Sequence, residues 1–220
     1  MQGQHQRART PVDACPHMLT LDVAGEAEDQ TEGAILRATE PRRDSTALTA
    51  FSVHFLKSGL PVFLVQDRYH WTGTPHHDLL PAILRIADIW RADQLILDAT
   101  GIGAGLASFL RAELGSRLVP FVFTSESKSR LGWEFLALCN SGRFLDHAPD
   151  DSAEYAQFWR EVAAADYEVV DSPSRRMRWG VADPRIHDDL LISAALIAAA
   201  QDLVAPQMGA VIEAGDVVSE

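Results

Sequence analysis

The chain has 220 residues, 47% of them hydrophobic and 23% charged, with a formal net charge of -12. This is the size and balance of one globular domain with a sizeable core. A free-standing nucleic-acid binder is usually basic, so the acidity argues against that class, but it leaves room for a nuclease whose acids hold cations and whose basic groups are local.

Residues 1–16 are polar, carry two prolines and read as a tail or linker. "HMLTLDVAG" (17–25) predicts a short strand ending at Asp22, and the acidic, irregular stretch 26–44 predicts a loop insertion. Residues 45–56 and 60–73 predict two further strands around a "SG" turn, so the first three strands form an antiparallel meander. Apolar residues then recur at helical spacing over 76–92, including Leu79, Ile83, Ile86 and Trp90. "QLILDA" (94–99) reads as a buried strand, 105–115 as a helix closed by Gly115, and 117–124 as another strand. Helices are expected at 129–142 and 153–165, a basic hairpin at 167–182 and a last helix at 187–204, with a loose tail over 205–220. Strands first, then strand–helix alternation, define an α/β domain: a mixed sheet flanked by helices, antiparallel in its first three strands and parallel thereafter.

Cys15 and Cys139 form no CxxC pair, so neither a zinc site nor a disulfide framework is expected, which fits a reducing compartment. No signal-peptide pattern is visible, and the longest apolar run, 190–200, is too short to span a bilayer.

The chemistry gathers on carboxylates. Asp22 and Asp98 each end an apolar strand, and Asp188 and Asp189 open an apolar helix after His187. Sites in open α/β sheets collect outside strand carboxyl ends. Carboxylates that converge there repel one another unless cations neutralise them or they hold protons. Oxygen ligands suit Mg²⁺ or Mn²⁺, and two such ions serve phosphodiester hydrolysis. The same residues also suit humbler roles: a strand-end aspartate forms turns, and Asp188 or Asp189 could cap the last helix. "GIGAG" (101–105) departs from a dinucleotide fingerprint, because Leu106 stands where the third glycine belongs and the acid lies upstream. No GxxxxGK[ST] phosphate loop occurs in the chain.

In order, "LTLDVAG", "RDSTALTAF", "LILDATGIGAGLASFL", "SKSRLGWEFLALCNSGRF" and "HDDLLISAALIAAA" resemble the nuclease domain of phage terminase large subunits, over about residues 17–204. The resemblance implies an RNase H-like fold over 17–204 and metal-dependent endonucleolytic cutting of concatemeric double-stranded DNA during genome packaging. It implies that Asp22, Asp98 and Asp189 hold two Mg²⁺ or Mn²⁺ ions, with Asp188 close behind and Asp44 as an accessory acid. His187 would orient a ligand or a water. Lys128 and Arg130, with the hairpin residues Arg175, Arg176 and Arg178, would position phosphates. The implied partners are double-stranded DNA, an ATPase domain or motor subunit, a small terminase subunit and portal protein, with no membrane, in the bacterial host cytoplasm. The missing phosphate loop points to an excised domain or a split gene product, and the acidic stretch 26–43 is longer than the family's usual link. A junction resolvase or RNase H would use the same acids, and a non-catalytic docking module is the rival from another class.

Overall fold

The computed structural model describes residues 1–11, 15–23, 45–101, 103–171, 175–183, 185–201, 203–204 and 211–212. Asp44, the acidic insertion 26–43 and most of the C-terminal stretch 205–220 lie outside the described residues.

The main sheet runs in the order β5-β4-β1-β2-β3-β6, built from β1 (His17–Asp22), β2 (Ser45–Leu56), β3 (Pro61–Thr72), β4 (Gln94–Asp98), β5 (Leu118–Phe121) and β6 (Phe144–Leu145). The first three strands are antiparallel, and β4 and β5 extend the sheet in parallel beyond β1, as the sequence predicts. Two additions were not legible: the short β6 pairs in parallel with the far edge of β3, and β9 (Val211–Ile212) pairs with the end of β2. A separate two-stranded sheet, β7 (Ala165–Val169) and β8 (Met177–Val181), forms the expected hairpin.

Period-two alternation divides the strands between two apolar layers. Leu19, Leu21, Leu48, Leu95 and Leu97 pack under α1 (His76–Ile89) and α2 (Gly103–Leu114). Met18, Ala47, Phe51 and Ile96 face the opposite side, with α3 (Ser125–Asn140), α4 (Ala153–Ala164) and α5 (Asp189–Ala195). The predicted last helix is shorter than expected: α5 gives way to a 3₁₀ segment, Leu196–Ala200. Residues Leu190 to Ala195 are all buried, so the helix is enclosed on every side and lies inside the layer. Ser193 fastens it, donating to the Thr20 carbonyl at 3.1 Å and sharing a hydrogen bond with Thr49 at 3.0 Å.

The parity of β3 changes along its length. Phe63 and Val65 face the α5 side, whereas Tyr69 and Trp71 face the other. The switch falls at a bulge, where Ala50 pairs with Asp67 but Phe51 pairs with Val65. One extra residue turns every later side chain over, so Arg68 and His70 share the α5 side.

Residues 1–11, which read as a polar tail, run along the domain. Met1 accepts from the Asp146 amide, Gly3 donates to the Asp146 carbonyl, and Arg7 reaches Asp67 and Asp150. Asp146 is fully buried; it lies 2.8 Å from the buried Arg68 guanidinium and accepts from Trp159 Nε1 at 2.8 Å. Arg68 also stacks over Phe158, 3.9 Å from the ring centroid. Removing one partner strands the other charge in the core. Asp146→Ala is therefore expected to cost about 3–5 kcal/mol in urea denaturation, and an unchanged midpoint would show that Arg68 is solvated or paired elsewhere.

Candidate active site

Strand register assembles the floor of the site. Leu21 pairs with Leu97 in parallel, so Asp22 and Asp98 leave adjacent strands side by side, roughly 4.8 Å apart along the hydrogen-bonding direction. Asp22 pairs with Ala47, and Ala47 pairs with His70. Asp98, Asp22, Ala47 and His70 thus form one row across the sheet. Parity turns this row toward α5, since Asp22 follows Met18 and Thr20 on its strand and Asp98 follows Ile96. Small Ala47 leaves room above the row for the first turn of α5, which carries Asp189.

Asp98 does form the turn that its position allows: its Oδ1 accepts from the Thr100 amide at 2.8 Å. Gly101 takes the left-handed conformation with φ 56°. Gly103 opens α2 directly against the Asp98 carbonyl oxygen, where a Cβ would collide with that oxygen. The glycines therefore shape the exit from β4 and let the helix start at once.

Asp188 and Asp189 do not cap α5. Asp188 stands at the N-cap but makes no side-chain cap hydrogen bond. The cap comes from another helix: Glu161 of α4, fully buried, accepts from the Leu191 amide at 2.8 Å and from Gln157 at 2.9 Å. This satisfies a first-turn amide that would otherwise have no partner. Burial pushes the Glu161 carboxyl up to about 7, against the pull of those two hydrogen bonds. The helix's own acids are left free of the cap, Asp189 facing the main sheet. The Asp189 Oδ2 atom is buried without a hydrogen-bond partner, 3.9 Å from His70 Nε2 and 4.0 Å from His187 Nδ1. Asp188 lies toward the hairpin, with Oδ2 against Gly180, in a cleft of about 380 Å³ shared with Lys128, Tyr167 and Arg178.

The acids feel one another. Burial raises the Asp22 carboxyl well above the usual carboxylate range, and the charges of Asp189, Asp98 and Asp188 push the same way, opposed by Lys128. Burial also raises Asp98, against its Thr100 hydrogen bonds and Lys128. Among the described residues, no three His, Cys, Asp or Glu side chains close into a ready metal cage. The donor chemistry nonetheless fits a hard divalent cation: several carboxylates meet around Asp22, where the charge of Lys128 opposes theirs, and one buried carboxylate oxygen lacks a partner.

Of the predicted basic residues, Lys128 is the one whose charge acts on Asp22 and Asp98. It extends from the first turn of α3, beside Trp179 of β8, whose indole donates to the Lys128 carbonyl at 2.7 Å. Gly132 allows that closeness, since a Cβ there would overlap the Trp179 ring. Arg176 and Arg178 are exposed and line a cleft of about 290 Å³ with Ser125 and Lys128. Arg178 also pairs with Glu168 at 3.2 Å. Arg175 is exposed at the hairpin, and its carbonyl accepts from Trp133. Arg130 points along its own helix toward Glu134, 3.9 Å away, and does not line that cleft. Two residues escaped the sequence reading. His70 lies beyond a bulge that the sequence does not signal, and Glu161 sits on α4, remote in sequence from the helix that it caps.

No family model matches the chain, and no curated protein matches it in sequence. Solved structures do match. The large terminase nuclease of thermophilic phage G20c with bound cobalt superposes with a TM-score of 0.62 at 16% identity, covering 90% of this chain and 91% of the other. Its form with bound magnesium gives 0.60 at 15% identity, with 90% and 91% covered. The large terminase nuclease domain of Thermus phage P74-26 gives 0.56 at 16% identity, with 92% and 90% covered. The chain has the fold of phage large terminase nucleases, the RNase H-like mixed sheet that its sequence predicts.

Proposed function

We propose that this protein is a divalent-metal-dependent endonuclease that cuts double-stranded DNA during phage genome packaging. One observation carries the reading: strand register and parity bring Asp22 and Asp98 together beneath Asp189, while Glu161 does the capping that would otherwise account for the acids of α5. The fold likeness to nucleases solved with magnesium and cobalt supports it.

Asp22, Asp98 and Asp189 would hold the cations, with Asp188 at the hairpin side. Bound divalent ions supply Lewis-acid stabilisation of phosphate charge and activation of water, and two together serve both sides of an in-line displacement. The chain's own residues do the rest. The fixed register of β1 and β4 holds two acids without loop freedom. Lys128, Arg176 and Arg178 offer a basic wall on which a phosphate backbone can lie, while Arg175 sits further along the hairpin. Arg130, paired with Glu134, contributes through general charge. His187, 4.0 Å from Asp189, would orient that carboxylate or a water. No described helix is long and apolar enough to cross a membrane. In this reading the protein works in the bacterial host cytoplasm with an ATPase motor, a small terminase subunit and portal protein.

The direct test is cleavage of supercoiled plasmid with Mn²⁺, Mg²⁺ or EDTA. Nicking and linearisation should require metal. Asp98→Ala should lower the rate by more than about 100-fold, because even the outer partners of metal ligands are typically worth about 10–100-fold. A folded wild type that cuts with neither metal would favour a docking module, and cutting that survives Asp98→Ala would sink the site assignment.

A second expectation concerns pH. Asp22 and Glu161 both have carboxyls raised by folding, so each contributes stability at low pH that is lost as pH rises through its folded value. For Glu161 that loss builds from its ordinary value of 4.5 up to about 7, where it is complete. Without metal, the wild-type melting temperature should therefore fall relative to that of Glu161→Gln from about pH 5 to about pH 7, a comparison that cancels His5, His17 and His54, whose pKa values burial lowers and which act in the opposite direction. Mn²⁺ should raise the wild-type melting temperature more at the upper end, where the ligands are deprotonated. A metal-induced shift that is larger at about pH 5 would contradict this.

A further inference from the structure

Resting on the metal-nuclease reading, we propose that His70 is a positioning residue for Asp189: its Nε2–H holds one oxygen of that carboxylate, leaving the remaining lone pairs for a cation. The case is geometric. His70 Nε2 and Asp189 Oδ2 are both buried, both lack a hydrogen-bond partner, and face each other at 3.9 Å. That separation is too long for a hydrogen bond. Two complementary orphans this close nevertheless satisfy each other with a small side-chain rotation, and leaving them apart has a desolvation cost.

The surroundings narrow the choice of partner. Within α5, Glu161 takes the Leu191 amide and the Asp188 carbonyl the Ile192 amide, and Asp189 Oδ2 is left without a hydrogen bond. Asp22 and Asp98 are acids and offer no stable donor while ionised. Lys128 acts on Asp22 and Asp98 from the hairpin side. His187 also faces Asp189, at 4.0 Å, but it precedes the helix on a more exposed segment; its side chain is 39% exposed against 25% for His70. His70 stands on β3, paired there with Ala47 of β2, in the same register row as Asp22. A donor on a strand fixes a carboxylate better than one on a loop, and carboxylates that hold metal are themselves commonly held by such hydrogen bonds.

The test compares wild type, His70→Ala and His70→Gln in two measurements: Mn²⁺ affinity by titration calorimetry, and melting in EDTA as a fold control. Glutamine retains an N–H near the position of Nε2 but lacks an imidazole nitrogen. His70→Ala should weaken Mn²⁺ binding by about 10–100-fold. His70→Gln should recover most of that loss, and the EDTA melts of the two variants should agree closely. Wild-type affinity in His70→Ala would overturn the proposal. So would His70→Gln as weak as His70→Ala, which would make the imidazole itself the ligand or a packing element. A wild type that binds no Mn²⁺ would overturn the metal reading, and the proposal with it; that result is distinct from any difference among the variants.

Discussion

The seating of α5 inside the second apolar layer governs the arrangement around it. This helix has only seven residues, too few to be stable alone, and it survives because its surface from Leu190 onward is buried. Burial of a short helix creates a difficulty at its start, where first-turn amides need acceptors. Glu161 supplies one from α4, and Ser193 anchors the next turn to β1 and β2. The N-terminus is thereby fixed over Ala47 without using its own acids. A helix that capped itself with Asp188 or Asp189 would have turned a carboxylate inward along its axis and away from β1.

Holding these acids close has an energetic cost that the fold has to absorb. Asp22 experiences burial and three neighbouring negative charges, with one lysine opposing them. Nothing in apolar packing rewards that arrangement, and an apolar set of similar size would pack there more stably. Rigid surroundings absorb the cost: paired central strands below and a buried helix above. Stability elsewhere compensates, notably where the N-terminal segment, β6 and α4 converge on Asp146 and Arg68. That cluster also holds α4 in place, and α4 carries Glu161. The structural charge cluster and the candidate site are thus joined through one helix.

Much of this was legible in the sequence, for identifiable reasons. β2 announces itself by β-branched, partly alternating residues, β3 by its place after a Ser-Gly turn, and β1 and β4 by short apolar runs. Asp22, Asp98, Asp188 and Asp189 were legible because each sits where an apolar element stops. The residues that escaped depend on tertiary relations with no local signature. β6 is two residues long and exists only because β3 offers an edge. The N-terminal segment looks like a tail because its contacts are polar and remote, such as Arg7 with Asp67 and Asp150. Glu161 sits on an amphipathic helix, where a lone acid reads as part of the solvated face.

His70 shows the same limit most sharply. Strict alternation from Phe63 and Val65 would place Asp67, Tyr69 and Trp71 on the α5 side and send His70 to the α1 side. The bulge between Val65 and Asp67 reverses this. One inserted residue thus decides whether β3 presents an aromatic pair or an arginine and a histidine to the layer that holds the acids. The reversal also places Tyr69 under α1, where it accepts from Trp90 Nε1 at 3.1 Å, so both faces use the change. A bulge that serves a packing contact on one side and a polar row on the other is constrained twice. Removing the extra residue would restore regular pairing and yet exchange the two faces of the strand at the point where Asp22, Ala47 and His70 align.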